Sequence, residues 1–118
     1  MNKSVGIVGV GIMGTAMARN LCQAGFDVVG YDPVPQAIAR LEEIGGRALA
    51  SPRAVAETAP IIIMSLPKAE ALTDVIGGDT GVAKAAGIGQ IVIECSTLPL
   101  DIKRATHDEM ERHGKILL

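Results

Sequence analysis

The sequence predicts an α/β fold with a mostly parallel, helix-covered sheet, on three observations. Short apolar runs alternate with segments of helical period along the whole chain. Gly or Pro marks most of the junctions between them. The core must also be aliphatic, because 48% of the residues are hydrophobic but only one Phe, one Tyr and no Trp are present. Ile- and Val-rich runs without alternation suit central strands buried on both faces.

The first strand is expected over 4–9, and it leads into the most informative stretch. Gly9-Val10-Gly11-Ile12-Met13-Gly14 has the spacing G-x-G-x-x-G, a helix of about 12–24 follows, and a second strand over 27–31 ends at Tyr31-Asp32. In a chain with 14 glycines that spacing alone carries little weight. Strand, glycines, helix, strand and terminal acid in this order make up a dinucleotide-binding βαβ unit of the Rossmann type. Gly9 would give the tight turn, Gly11 a close backbone approach to a pyrophosphate, and Gly14 close helix–strand packing. Free N–H groups near residues 11–13 would face the phosphates. Asp32, 21 residues after Gly11, is placed to accept the adenosine ribose hydroxyls.

Inward positions of the first helix are read as Met13, Ala16, Met17, Leu21 and Ala24, with Gly25 as its stop. Met13 and Met17 are read as core, and Cys22 as packing or surface. After Pro33 a helix of about 35–44 carries Ile38, Leu41 and Ile44, and Arg47–Leu49 is a short third strand. Ser51-Pro52 opens a helix over 52–58, and Ile61–Leu66 is a central fourth strand closed by Pro67. Residues 68–76 form a short helix with Leu72, Val75 and Ile76 inward. The glycine-rich stretch 77–89 lacks G-x-x-x-x-G-K-[ST] and is read as a structural loop. A fifth strand over 90–95 precedes Ser96-Thr97, either of which can cap a helix of about 99–113. On that helix Asp108 and Arg112 are spaced to pair, and Ile102, Ala105, Glu109 and Arg112 make no tidy apolar stripe. Lys115–Leu118 begins a sixth strand, so the expectation is a fold truncated near strand 6.

A net charge of -2 over 118 residues gives no reason to expect nucleic acid, and no basic, aromatic-interleaved surface is present. No run reaches transmembrane length, and Met1-Asn2-Lys3-Ser4 enters the first strand with no signal-peptide pattern. Cys22 and Cys95 are too few for a disulfide framework, so the expected compartment is cytoplasmic with both thiols reduced. His107 and His113 fall on a charged helix without further ligands, and no metal is expected.

With these motifs set out, the sequence resembles the 3-hydroxyisobutyrate dehydrogenase family of β-hydroxyacid dehydrogenases. That group includes tartronate, glyoxylate and succinic semialdehyde reductases and, further off, 6-phosphogluconate dehydrogenase. Gly9 to Leu21 with Ala24-Gly25 is similar to the family's G-x-G-x-M-G-x-x-M-A-x-N-L-x-x-A-G opening. Met64-Ser65-Leu66-Pro67 resembles its fourth-strand signature, and Ser96-Thr97 its D-x-S-T segment, with Glu94 where Asp is usual and Pro99 one place early.

The resemblance implies an NAD(P)-dependent oxidoreductase that moves a hydride between nicotinamide and a small 3-hydroxy acid or its semialdehyde. Cofactor contacts would come from Gly9, Gly11, Ile12, Met13, Gly14, Tyr31, Asp32, Leu66, Pro67 and Thr97. Ser96 and Thr97 would meet a small-molecule carboxylate substrate. The family's catalytic lysine and its helical C-terminal domain, which also forms the homo-oligomer, would lie beyond Leu118. No catalytic residue is therefore assigned here, and Lys68, Lys103 and Lys115 lie outside the lysine segment. Asp32 favours NAD over NADP, since a 2'-phosphate would meet a like charge, and Arg40 lies a helix turn or two away. Two other readings stay open: a nucleotide-sensing or regulatory domain, and a structural module with a vestigial site.

Overall fold

A computed structural model describes residues 3–118; the reading of Met1 and Asn2 against a signal peptide lies outside the described residues. The elements alternate as β1 Ser4–Val8, α1 Ile12–Gln23, β2 Asp27–Tyr31, α2 Pro35–Glu43, β3 Arg47–Ala48 and α3 Pro52–Thr58. They continue as β4 Ile61–Met64, α4 Ala69–Gly77, a 3-10 turn Val82–Lys84, β5 Ile91–Glu94, α5 Leu100–Arg112 and β6 Ile116–Leu117. The strands form one sheet in the order β3-β2-β1-β4-β5-β6, and every pairing is parallel. This is the doubly wound α/β arrangement. Its winding reverses between β1 and β4, and that reversal opens a crevice beyond the strand ends.

Local chemistry sets the boundaries. Ser51 Oγ accepts the Ala54 N–H at 3.1 Å and Pro52 takes the first position of α3. Past α1, Gly25 adopts φ +92°, and the Phe26 N–H reaches back to the Leu21 carbonyl at 3.1 Å, closing the helix end.

Each face of the sheet has its own core. Ile7, Val10 and Val28 pack with Ala18 of α1 and Ala37 and Leu41 of α2. On the other face Val8, Ile62, Met64 and Val92 pack with Val55, Leu72, Ile76, Val82 and Met110. The inward face of α1 agrees with the sequence reading at Met17 and Leu21, which pack against the core of Ile7, Val10 and Val28. It differs elsewhere: Gly14, Thr15 and Ala18 are buried, whereas Met13, Ala16 and Ala24 are exposed. At Gly14 the helix is seated too closely for a side chain, and Met13 lines the crevice. On α5 the sequence reading found no stripe, but Ile102, Thr106 and Met110 provide one at four-residue spacing, with the Thr106 hydroxyl donating to the Ile102 carbonyl at 2.8 Å. Arg112 pairs with Glu109, not Asp108. Nor do Ser96 or Thr97 cap α5, whose N-cap is Pro99 with no side-chain bond.

Burial of the central strands on both faces holds only in part. On the face carrying α1 and α2, those helices reach across β1 to β3. There Ile61, Ile93, Ile116 and Leu118 remain 39%, 37%, 46% and 71% exposed.

At the opposite end from the crevice, Lys115 is buried, and its ammonium donates to the carbonyls of Ala85, Gly87 and His113 at 3.0, 3.1 and 3.3 Å. Burial pushes this ammonium below the ordinary lysine value, against the pull of Glu57. Lys115→Met is expected to orphan three carbonyls and cost about 2–4 kcal/mol, read as a lower urea midpoint with an unchanged m-value.

Candidate functional site

The crevice is a cleft of about 800 Å³ at the carboxyl ends of β1, β2 and β4, within the usual range for a small-molecule or cofactor site. Gly9, Gly11, Ile12, Met13, Gly14, Tyr31, Asp32, Leu66 and Pro67 all line it. These are the sequence-predicted cofactor positions with one exception. Thr97 is exposed and outside the lining, as is the buried Ser96.

The three glycines play different parts. A Cβ on Gly9 would stand 2.1 Å from the Ser65 carbonyl oxygen, and Gly9 has φ +93°. A Cβ on Gly14 would stand 2.0 Å from the Gly9 carbonyl oxygen. Both are required by the protein's own packing. Gly11 is different: its φ is −83°, and a Cβ there would meet nothing within 4 Å. Neither backbone nor neighbours demand a glycine there, and the space it leaves is open cleft. Gly11 is also the N-cap of α1, which has no side-chain cap and no acid in its first turn. The N–H groups of that turn therefore meet the cleft with the positive end of the helix behind them.

Asp32 does more than the sequence revealed. Its Oδ2 accepts the Val10 N–H at 2.8 Å and its Oδ1 the Val34 N–H at 2.9 Å, tying the glycine turn to the loop after β2. Each oxygen keeps a second lone pair for a ligand. Arg40, distant in sequence from the glycines, donates from Nη2 to the Val10 carbonyl at 2.9 Å. Val10 is thus held by an acid on one side of its backbone and a cation on the other.

The far side of the cleft joins β4 to β5. Ser96 Oγ accepts the Leu66 N–H at 2.6 Å, which is where its hydroxyl goes in place of capping α5. Ala71, Asp74 and Val75 of α4, with Gly78, Asp79 and Thr80, form a wall that the sequence reading missed. The Arg53 N–H donates to the Thr80 carbonyl at 2.8 Å and anchors that wall to α3. The signal was topological, because any segment leaving the carboxyl end of a central strand borders the crevice.

His113 Nδ1 lies 2.9 Å from the Glu109 carbonyl oxygen. His107 instead has Asp108 and Glu111 nearby, with ligand atoms within 4.8 Å of one another. All three are exposed on one helix and far from the cleft in sequence order, and they contribute nothing to this site.

Residues 4–118 match the family model described as the NAD binding domain of 6-phosphogluconate dehydrogenase. The chain belongs to that family. Among the family's curated relatives, mouse mitochondrial 3-hydroxyisobutyrate dehydrogenase is 32% identical over 114 residues, covering 97% of this chain and 34% of that protein. L-threonate dehydrogenase of Cupriavidus necator is 29% identical over 118 residues, all of this chain and 40% of that one. A solved Mycobacterium tuberculosis 3-hydroxyisobutyrate dehydrogenase with L-serine has a TM-score of 0.88 at 30% identity, covering 99% of this chain and 39% of that one. The family thus gives an NAD-binding domain related to the β-hydroxyacid dehydrogenases. The chain spans 34–40% of the length of these relatives.

Proposed function

We propose that this chain is the dinucleotide-binding part of an oxidoreductase that prefers NAD and acts on a small 3-hydroxy acid or its semialdehyde. The observation that carries the reading is Gly11, a glycine that neither positive φ nor close packing requires, set at the start of α1 inside the cleft with no side-chain cap. Backbone N–H groups of Ile12 and Met13 would hold the pyrophosphate. Asp32, past β2, would take the adenosine ribose. With β1 between β2 and β4, a dinucleotide lying across the glycine turn would bring its other end to Leu66, Pro67 and the β5 loop. Bound nicotinamide supplies the hydride chemistry.

The residues at that end orient and exclude water. Leu66 and Pro67 offer an apolar wall, and Ser96 and Thr97 offer hydroxyls for a carboxylate. Ser96 accepts from Leu66 and still has its own hydroxyl proton to donate. The names of the relatives, 3-hydroxyisobutyrate and L-threonate dehydrogenase, share a small hydroxylated carboxylate and support that substrate class. No proton-transfer residue is assigned within 3–118. Lys115 is spent on three carbonyls and Lys103 on Glu94 and Ser96.

NAD preference rests on Asp32. Charge-assisted hydrogen bonds contribute about 1.5–3 kcal/mol each, so even half of one such pair gives roughly tenfold discrimination against a 2'-phosphate. Titration with NADH and NADPH, followed by nicotinamide fluorescence and with circular dichroism as a check on folding, tests both points. NADH is expected to bind about tenfold more tightly, and Asp32→Asn to bring the ratio close to one. Equal or tighter NADPH binding by the wild type would overturn the preference. A folded protein that binds neither would favour a structural module over a cofactor site.

A further inference from the structure

We propose that Glu94 and Lys103 are positioning residues for the nicotinamide end of the cleft, acting through Ser96 on Leu66. The inference deepens the dinucleotide reading above and rests on it.

The starting observation is a buried charge. The Glu94 side chain is only 1% exposed, an expensive placement for a carboxylate unless it is closely partnered. Its Oε1 accepts the Ser96 N–H at 2.8 Å. Its Oε2 is enclosed, has no aligned hydrogen-bond donor among the described residues, and faces the Lys103 ammonium at 3.1 Å as an ion pair. Lys103 rises from the first turn of α5, and its ammonium also donates to the Ser96 carbonyl at 2.5 Å. Ser96 is therefore held at three points, its N–H by Glu94, its carbonyl by Lys103 and its Oγ by the Leu66 N–H, with only the hydroxyl proton left to donate.

The position of this cluster gives it a function. Cys95 N–H to Met64 carbonyl, at 2.8 Å, carries the backbone pairing of β5 with β4 to the strand ends. Beyond that point the two chains leave the sheet as loops, and the Ser96–Leu66 bond keeps them together. Leu66 and Pro67 line the cleft on the side opposite Asp32, so whatever fixes Leu66 fixes the wall that the nicotinamide ring would meet. A carboxylate alone could hold the Ser96 N–H. The lysine neutralises that carboxylate and holds the opposite edge of the same residue, leaving Ser96 one orientation. Such an arrangement is more than fold stability needs, since an apolar pair of similar volume is often as stable as a buried ion pair.

The test separates the two ends of the cofactor. Wild type, Lys103→Met, Glu94→Gln and Lys103→Arg would be titrated by calorimetry with NADH and with ADP-ribose, which lacks the nicotinamide ring. Thermal melts would run alongside. Lys103→Met strands the buried Glu94 carboxylate, whereas Glu94→Gln leaves only the partly exposed Lys103 ammonium unpaired and is expected to fold even if Lys103→Met does not. Each is expected to weaken NADH about tenfold while leaving ADP-ribose within about twofold, and Lys103→Arg to keep most of the wild-type affinity. An equal loss for both ligands, or none for either, in a folded Lys103→Met or Glu94→Gln protein would overturn the proposal. Wild type that binds neither ligand would overturn the dinucleotide reading and this proposal with it. Wild type that binds both, with the NADH to ADP-ribose ratio unmoved in every variant, would overturn only this one.

Discussion

Gly11→Val is expected to leave the protein folded and to weaken NADH binding by about a hundredfold or more, a loss of about 2.7 kcal/mol. Apart from residue 11 and its chain neighbours, no protein atom lies within 4 Å of the added Cβ, and the backbone at residue 11 has a negative φ that valine tolerates. The cost to the fold is limited to a poorer N-cap, typically a fraction of a kcal/mol relative to glycine. The cost to the ligand is steric, because branched methyl groups would occupy the space over the first turn of α1 where a pyrophosphate must approach the N–H groups. A melting temperature close to wild type together with lost fluorescence enhancement of NADH is the expected pair of results. Unchanged binding would remove the main support for the cofactor site.

Gly9→Ala, two residues earlier in the same motif, is expected to behave in the opposite way. It places a Cβ 2.1 Å from a backbone oxygen of the loop after β4, and it does so at φ +93°. Backbone strain and overpacking each cost on the order of 1–3 kcal/mol, and here the obstacle is main chain that cannot swing aside. The sum, about 4 kcal/mol, is a large share of the 5–15 kcal/mol that holds a typical domain together. Urea unfolding should show a sharply lower midpoint or no folded baseline. A Gly9→Ala protein as stable as wild type would mean that the turn between β1 and α1 is looser than its geometry implies.

The contrast between these glycines marks what the sequence made legible. The alternation of strands and helices, the glycine turn and Asp32 followed from spacing, because a tight turn and a helix start leave their residue types in the chain. The helix stop at Gly25 was legible for the same reason. What escaped were contacts between residues far apart in sequence. Met13 looked like core on helical period, but the close seating of Gly14 on the Gly9 carbonyl turned the helix and put Met13 at the mouth of the cleft. Ser96 looked like a cap for the helix that follows it, and its partner proved to be Leu66, thirty residues earlier. Glu94 was legible only as the acid of the segment that resembles D-x-S-T, and Lys103 only as one more charge on a polar helix. Only their convergence on Ser96 makes them informative.

The edge strand β3 has only two residues. An edge of that length offers little template for strand addition, so amyloid-like growth from that margin has little to start from. The vulnerable surface lies elsewhere, on the bare isoleucines of β4, β5 and β6. Self-association of this protein should therefore occur face to face through aliphatic surface. Added salt would strengthen it rather than screen it, and a charged residue at Ile93 would oppose it more effectively than any change at β3.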